Sequence, residues 1–365
     1  MSLEVSFIFG GVSTEYDSSI SSLKNCIFSY LAIPHGQRPF SVRHLYHLSR
    51  EDGLVRTIAL HRHFTFSELQ DWLFNIGRTT GSTLSKAFDT IGQRKEYVVN
   101  LLHGQFGEDG GVQTIAALSG LNGTFGDPQV ASLTMNKYAM SSFVSSLLPT
   151  EVVRIPETKL VNSRNLDRAI QIAHSFQGPV VVKPNSLGLS LFTALFPDPA
   201  ACEADIVDLV RKILRYDSAA LLQEFVDGDE YSCGCIVSSS NVTSLPLAKI
   251  ETESRFFGPI EKNDGNLVIQ SIVDENAVVS KRIKSITNKI ASSIDLYNIS
   301  RFDFRVAPDS EIFFLECNYI PGLGKGSIFE MVLQNHGMTV IELIAWMASH
   351  SNSFAKREHI VKSDG

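Results

Sequence analysis

The sequence has little of what would place a protein outside a reducing compartment or in a membrane. Its 365 residues include five cysteines (Cys26, Cys202, Cys233, Cys235 and Cys317), an odd and scattered set that supports no disulfide framework. Cys233 and Cys235 stand two apart with no second pair at zinc-ligand spacing, so they read as neighbours on one strand face. No segment approaches the roughly 20 apolar residues of a membrane span, and no basic leader precedes the short apolar run Val5 to Phe9. The expectation is a cytoplasmic location. Basic excess is also missing: 32 Lys and Arg against 39 Asp and Glu give a net charge of -7, spread along the chain, which excludes nucleic acid as a natural partner. Neither a Walker A pattern nor a GxGxxG follows any strand-like run, so P-loop and dinucleotide-binding readings lose support. Repeats and low-complexity tracts are absent.

What is present reads as globular. A hydrophobic content of 44% and a mean hydropathy of +0.05 suit buried cores, and the length carries a prior of two to three domains. Val5 to Phe9 reads as a buried strand running into Gly10-Gly11, with N-cap residues for a helix between Ser13 and Ser22. Tyr97 to Leu102 is a second such strand, followed by His103-Gly104-Gln105-Phe106-Gly107-Glu108-Asp109-Gly110-Gly111 and a helix from Val112 to Ser119. Loops after the carboxyl ends of parallel strands are where open α/β sheets bind ligands. The stretch from Arg50 to Lys95 shows no functional pattern. Further on, the text predicts a helix over Met135 to Leu147, a strand at Pro179 to Pro184 and a glycine-containing loop from Asn185 to Ser190. Strands follow at Leu221 to Val226, Glu230 to Val237 and Leu245 to Ile250, then helices over Asp274 to Asp295 and Val340 to Ala348.

The densest chemistry lies between Ser300 and Ser327. Two runs in which polar and apolar residues alternate flank Ala307-Pro308-Asp309-Ser310-Glu311. With Asp309 and Ser310 as the central turn residues, Asp303 faces Glu316 and Arg301 faces Asn318. Strand alternation then puts these four on one face and Phe302, Phe304, Leu315 and Cys317 on the other. Three oxygen donors and a guanidinium suit Mg²⁺ shared with nucleotide phosphates, and equally suit a solvated face with a cross-strand ion pair. Lys183, at a strand end before a loop, can act as a point charge on phosphate. Gln223-Glu224-Phe225-Val226 can line an adenine slot, and Glu230 can hold a ribose hydroxyl.

The order of these parts along one chain resembles the D-alanine-D-alanine ligases of the ATP-grasp superfamily, over nearly the full length. The residues that carry the resemblance are Gly10-Gly11-Val12-Ser13-Thr14-Glu15, His103-Gly104 with Phe106-Gly107-Glu108-Asp109-Gly110, Met135-Asn136-Lys137 and Val182-Lys183-Pro184. Glu224 with Gly228 and Glu230, Arg301-Phe302-Asp303, and Glu316-Cys317-Asn318 with Pro321-Gly322 complete them. The resemblance implies a mixed α/β (α+β) ATP-grasp fold of three domains, 1–125, 126–226 and 227–365, with nucleotide between the central and C-terminal sheets. It implies a carboxylate-amine ligase that uses ATP and two Mg²⁺ ions, makes a dipeptide through an acylphosphate, and serves cell-wall precursor synthesis if the substrate is D-alanine. Lys137, Lys183 and Lys262 would contact phosphates, with Ser190 in the loop that closes over them. Glu224, Phe225, Val226 and Glu230 would hold the adenosine, and Asp303, Glu316 and Asn318 the metal. Arg301 and the N–H of Gly322 would stabilise the oxyanion. Glu15, Ser19, His103 and Ser327 would hold the amino acids, with Glu15 on the first ammonium and Ser327 on the second carboxylate. A homodimer is the family's expected state.

The chain also departs from the family. Glu15-Tyr16-Asp17-Ser18-Ser19 stands where Glu-His-Glu-x-Ser is usual, and Gly188-Leu189-Ser190-Leu191-Phe192 where the family has Gly-Ser-Ser-x-Gly. A bulky Phe192 in place of glycine is expected to change the loop's path. Glu261-Lys262-Asn263 aligns with a Lys-Tyr pair of the lid, so two of the three members of a Glu-Ser-Tyr group are replaced. Lys325 adds a cation near the expected second-substrate site, suiting an acceptor with an extra carboxylate unless it points to solvent. Ligation of a different amino acid pair, or nucleotide binding without ligation, are the alternatives.

Overall fold

The computed structural model describes residues 3–238, 241–252, 256, 258 and 268–350. Three sheets follow one another along the chain. The first contains β1 (Glu4–Gly10), β2 (Ser41–Leu48), β3 (Val55–Ala59), β4 (Tyr97–Asn100) and β5 (Asn122–Gly123) in the order β3-β2-β1-β4-β5. It is parallel except for the antiparallel edge pair β2–β3. Its helices are α1 (Tyr16–Ala32), α2 (Phe66–Asn75), α3 (Leu84–Arg94) and α4 (Gly111–Leu118). The stretch without a functional pattern, Arg50 to Lys95, therefore packs as part of this layer: β3 extends the sheet, and α3 buries Ala87, Phe88 and Ile91.

The helix expected over Met135 to Leu147 is α6 (Lys137–Leu147), preceded by a separate short helix, α5 (Pro128–Met135). Asn136 separates them because its side chain accepts the Ala139 N–H, which makes it the N-cap of α6. Asp127 caps α5 in the same way, with Pro128 at the first helical position. The second sheet is antiparallel, with β6 (Thr158–Asn162), β7 (Val180–Pro184), β8 (Ala194–Phe196) and β9 (Ala219–Glu224) in the order β6-β9-β7-β8. It is covered by α7 (Ala169–Ala173) and α8 (Glu203–Ile213).

The third sheet runs β12-β11-β10-β13-β14, from β10 (Asp229–Val237), β11 (Val242–Thr252), β12 (Val268–Ile272), β13 (Asn298–Val306) and β14 (Ile312–Asn318). One face packs on α9 (Val278–Ser293), α5 and α6 through Phe302, Phe304, Phe314, Cys233 and Cys235. All five described cysteines are free thiols. Helices α10 (Ile328–Asn335) and α11 (Val340–His350) turn back to the first sheet, where Phe329, Leu333 and Ile344 share a core with Phe7, Leu23 and Ile27. A buried polar tie reinforces that junction. The Asn25 amide on α1 donates to Leu323 O and to the Glu330 carboxylate, each at 2.8 Å.

Phe304 is fully buried and meets Phe314 edge-on at 5.8 Å. Phe304→Ala should cost about 3–5 kcal/mol through lost burial and a residual cavity, measured by urea unfolding. Leu118→Ala, at a position 84% exposed, should stay within about 0.5 kcal/mol in the same assay.

Candidate functional site

The β13–β14 hairpin reaches the expected pairing by a different route. Its loop is three residues, Pro308-Asp309-Ser310, with Ser310 left-handed (φ 69) and Ala307 N–H donating to Glu311 O. That geometry is a type I turn followed by a left-handed residue, so pairing starts one residue out of the expected register: Val306 faces Ile312 and Phe304 faces Phe314. A bulge between Asp303 and Phe304 restores it, and Asp303 faces Glu316 and Arg301 faces Asn318 as expected. The bulged residue, Leu315, turns to the cleft rather than joining Phe302, Phe304 and Cys317 in the core, which corrects its expected face.

Asp303 is 5% exposed and its carboxylate is fully engaged. Arg301 donates from Nε and Nη2 at 3.0 and 2.8 Å, Asn318 Nδ2 at 2.9 Å, and the Ser232 hydroxyl from the neighbouring strand donates as well. Lys137, at the start of α6, places Nζ 3.3 Å from Glu316 and donates to Leu187 O at 2.8 Å. Among the described residues, no group of three or more His, Cys, Asp or Glu could hold a metal ion. Two carboxylates and an amide on one sheet face suit a hard cation that takes its other ligands from phosphate and water.

This face forms the floor of a cleft of about 860 Å³, open mouth included, between the second and third sheets. Lys137, Lys183, Glu224, Phe225, Val226, Glu230 and Ser190 all line it. Burial holds the Lys183 ammonium down at about 8, against attraction from Glu316. Three wall residues escaped the reading of the sequence. Arg305 donates to Val226 O at 2.7 Å and sits 4.9 Å over the Phe225 ring, which also meets Phe256 at 6.4 Å; Leu315 is the third. Arg305 was legible, being two residues beyond Asp303 on the same strand face. Lys262 and Asn263 lie outside the described residues.

A second cavity adjoins the cleft, and Arg301, Glu316 and Ile328 line both. Its walls bring together Glu15, His103, Asn318, Gly322 and Ser327 from distant parts of the chain. Ser19 is not among them. It lies on the inward side of α1, fully buried, where its hydroxyl accepts the Gly10 N–H at 2.8 Å, while Ser18, Ser21 and Ser22 face the cavity. Ser327 is the N-cap of α10 and donates its hydroxyl to Gly322 O at 2.8 Å. Lys325 is exposed on the rim.

Glu15, 8% exposed, accepts the Gly188 N–H at 3.1 Å. A Cβ on Gly188 would lie 2.5 Å from both carboxylate oxygens, and one on Gly104 2.9 Å from one of them, so a side chain at either position would displace the Glu15 carboxylate. Glu108 accepts the Gly104 and Ile320 N–H groups at 2.7 and 2.8 Å, joining the first sheet's loop to the end of β14. Burial, then the nearby Glu15 charge, push Glu108 up to about 8. Burial holds the His103 imidazole down at about 4, hence neutral at pH 7.

The loop from Asn185 to Thr193 separates the two cavities: Gly188 and Ser190 face the cleft, Leu189 the second cavity. Phe192 adopts φ 55, a left-handed value open to glycine, and Leu189 and Ser190 do the same at φ 56 and 53. Each such residue costs of order 1–2 kcal/mol.

A family model described as D-ala D-ala ligase C-terminus matches residues 149–349. The chain belongs to this D-Ala-D-Ala ligase family. A D-alanine--D-alanine ligase of Prochlorococcus marinus (strain MIT 9312) is 26% identical over 356 residues, covering 93% of this chain and 95% of that protein. One from Porphyromonas gingivalis (strain ATCC BAA-308 / W83) is 24% identical, with the same coverage. Among solved structures, the VanG D-Ala:D-Ser ligase from Enterococcus faecalis superposes with a TM-score of 0.75 at 22% identity, covering 96% of this chain and 99% of that one. The D-alanine-D-alanine ligase from Coxiella burnetii gives 0.72 at 19%, covering 95% and 94%. The fold is that of the ATP-grasp ligases.

For this family member the Lys183 environment has a pH signature. Its folded value of about 8 lies below the ordinary 10.5, so between these the unfolded chain holds more protons and stability rises with pH. Urea unfolding at pH 7 to 10.5 should show that rise shrinking in Lys183→Met, with Lys183→Met the more stable protein at pH 7.

Proposed function

We propose that this protein is an ATP-dependent carboxylate-amine ligase joining two small amino acids through an acylphosphate, with D-alanine the first substrate to test. One observation carries the reading: Arg301 and Glu316 line both the nucleotide-sized cleft and the second cavity. A γ-phosphate entering from one side and a substrate carboxylate from the other would meet over the same residues. The family match and the relatives' names support the same reaction.

In this reading Phe225, Val226, Phe256 and Leu315 pack the adenine, with Glu224 and Glu230 on the adenosine's polar edges. The Glu224 carboxylate already accepts the Glu157 N–H at 2.8 Å, which leaves its other oxygen to the ligand. Lys137 and Lys183 neutralise phosphate charge, and Ser190 and the Gly188 loop cover it. Asp303, Glu316 and Asn318 would hold Mg²⁺, two ions by the family pattern, which supply charge neutralisation and in-line orientation for phosphoryl transfer. Glu15 holds the first ammonium. The carboxylate of that amino acid attacks the γ-phosphate, ADP leaves, and the second amine displaces phosphate from the acylphosphate. Arg301 and the Gly322 N–H stabilise the oxyanion of that second step, and Ser327 takes the acceptor carboxylate. His103, neutral and 3.2 Å from the Ser22 hydroxyl, orients the wall beside Glu15. No described helix is long and apolar enough to cross a membrane; a homodimer acting in the cytoplasm is the arrangement that the family pattern implies.

Phosphate release from Mg-ATP with D-alanine, followed by mass spectrometry for dialanine, tests this reading. Asp303→Ala and Glu316→Ala should each lose about a hundredfold or more of the turnover. Normal turnover in Glu316→Ala would sink the site assignment. Release only with other amino acids would move the substrate outside D-alanine, and Mg-ATP binding without release under any pair would make this a non-ligating member.

A further inference from the structure

The loop between the cavities holds three non-glycine residues in left-handed backbone, Leu189, Ser190 and Phe192. Side chains in that conformation persist only where surrounding contacts over-determine them. Contacts to the loop's two ends come from the last turn of α8, the turn joining it to β9 and the first residue of β9. Tyr216 stacks on Phe192 with ring centroids 5.1 Å apart and an interplanar angle of 29°. Lys212 sets its ammonium 4.8 Å from the centre of the same ring. The adjacent Asp217 carboxylate accepts the Ser186 N–H at 2.5 Å, and Ala219 O accepts that of Asn185 at 3.2 Å. One segment thus grips both ends of the loop. Lys137 holds its middle at Leu187 O, and Glu15 holds Gly188 N–H.

Where the family pattern has glycine, no side chain is present at that position to anchor the loop. Here the side chain that brings the backbone penalty also supplies the anchor. We propose that Phe192, clamped by Tyr216 and Lys212, is a positioning residue that fixes the 186–193 loop in its phosphate-covering path before nucleotide arrives. The consequence is binding without the entropic cost of ordering the loop. The inference rests on the nucleotide reading of the cleft. Tyr216 is 54% exposed and outside every helix and strand, so its replacement does not threaten the fold.

The test compares the full-length protein with Tyr216→Ala, Tyr216→Phe and Phe192→Gly in two measurements. The first is backbone hydrogen exchange over 186–193 without nucleotide. The second is titration with Mg-ADP. Exchange should quicken about tenfold in Tyr216→Ala and Phe192→Gly and stay at the wild-type rate in Tyr216→Phe, which keeps the stacked ring. The Mg-ADP Kd should rise about fivefold in the first two and be restored in Tyr216→Phe. Unchanged exchange in Tyr216→Ala overturns the clamp. Faster exchange with unchanged Mg-ADP affinity overturns its role in nucleotide binding. Failure of the wild-type protein to bind Mg-ADP overturns the nucleotide reading instead, a result separable from the clamp because exchange is read without ligand.

Discussion

A carboxylate taken out of water costs several kcal/mol unless its oxygens are occupied, and the Asp303 carboxylate is where the structure meets that cost most completely. Its partners come from its own strand and from the strand on each side: Arg301, Asn318 and Ser232. Satisfying Asp303 therefore fixes the register of three strands at once. With the register fixed, Glu316 comes within reach of Lys137, and Arg301 comes to lie on the boundary between the two cavities.

The wall opposite follows the same rule with a different outcome. Glu15 and Glu108 are both buried and of like charge, and burial together with the Glu15 charge raises the Glu108 carboxyl. Backbone N–H groups from Gly188, Gly104 and Ile320 hold the two in place. With leucine at 189, a main-chain N–H of the same loop, that of Gly188, reaches Glu15. Phe192 takes a left-handed backbone conformation that glycine adopts without strain.

Much of this was legible because chemistry and periodicity coincide. Alternation placed Arg301, Asp303, Glu316 and Asn318 on one face, and the pairing held although the turn was misread, since a three-residue loop and a bulge shift register in opposite directions. Neither the left-handed Ser310 nor the bulge has a mark in the text, as glycine is absent from both places. Ser232 was out of reach because its partner is set by β10–β13 pairing across a long gap in sequence. Ser19 was misplaced by carrying a family pattern onto a helix whose inward side it occupies. The three sheets follow one another along the chain, yet α10 and α11 share a core with the first sheet, a closure that no local pattern announces.

That shared core bears on how the chain folds during synthesis. The apolar side of α1, with Leu23, Cys26 and Ile27, is covered by Phe329, Leu333, Ile341 and Ile344 from the far end of the described chain. A nascent first sheet emerges with this surface bare and carries it until both ATP-grasp sheets have been translated. Closing contacts so distant in sequence is slow, and exposed apolar surface in the interval invites association. The demand on cellular holding factors thus falls on the amino-terminal third of the molecule, which also supplies Glu15 and His103 to the second cavity.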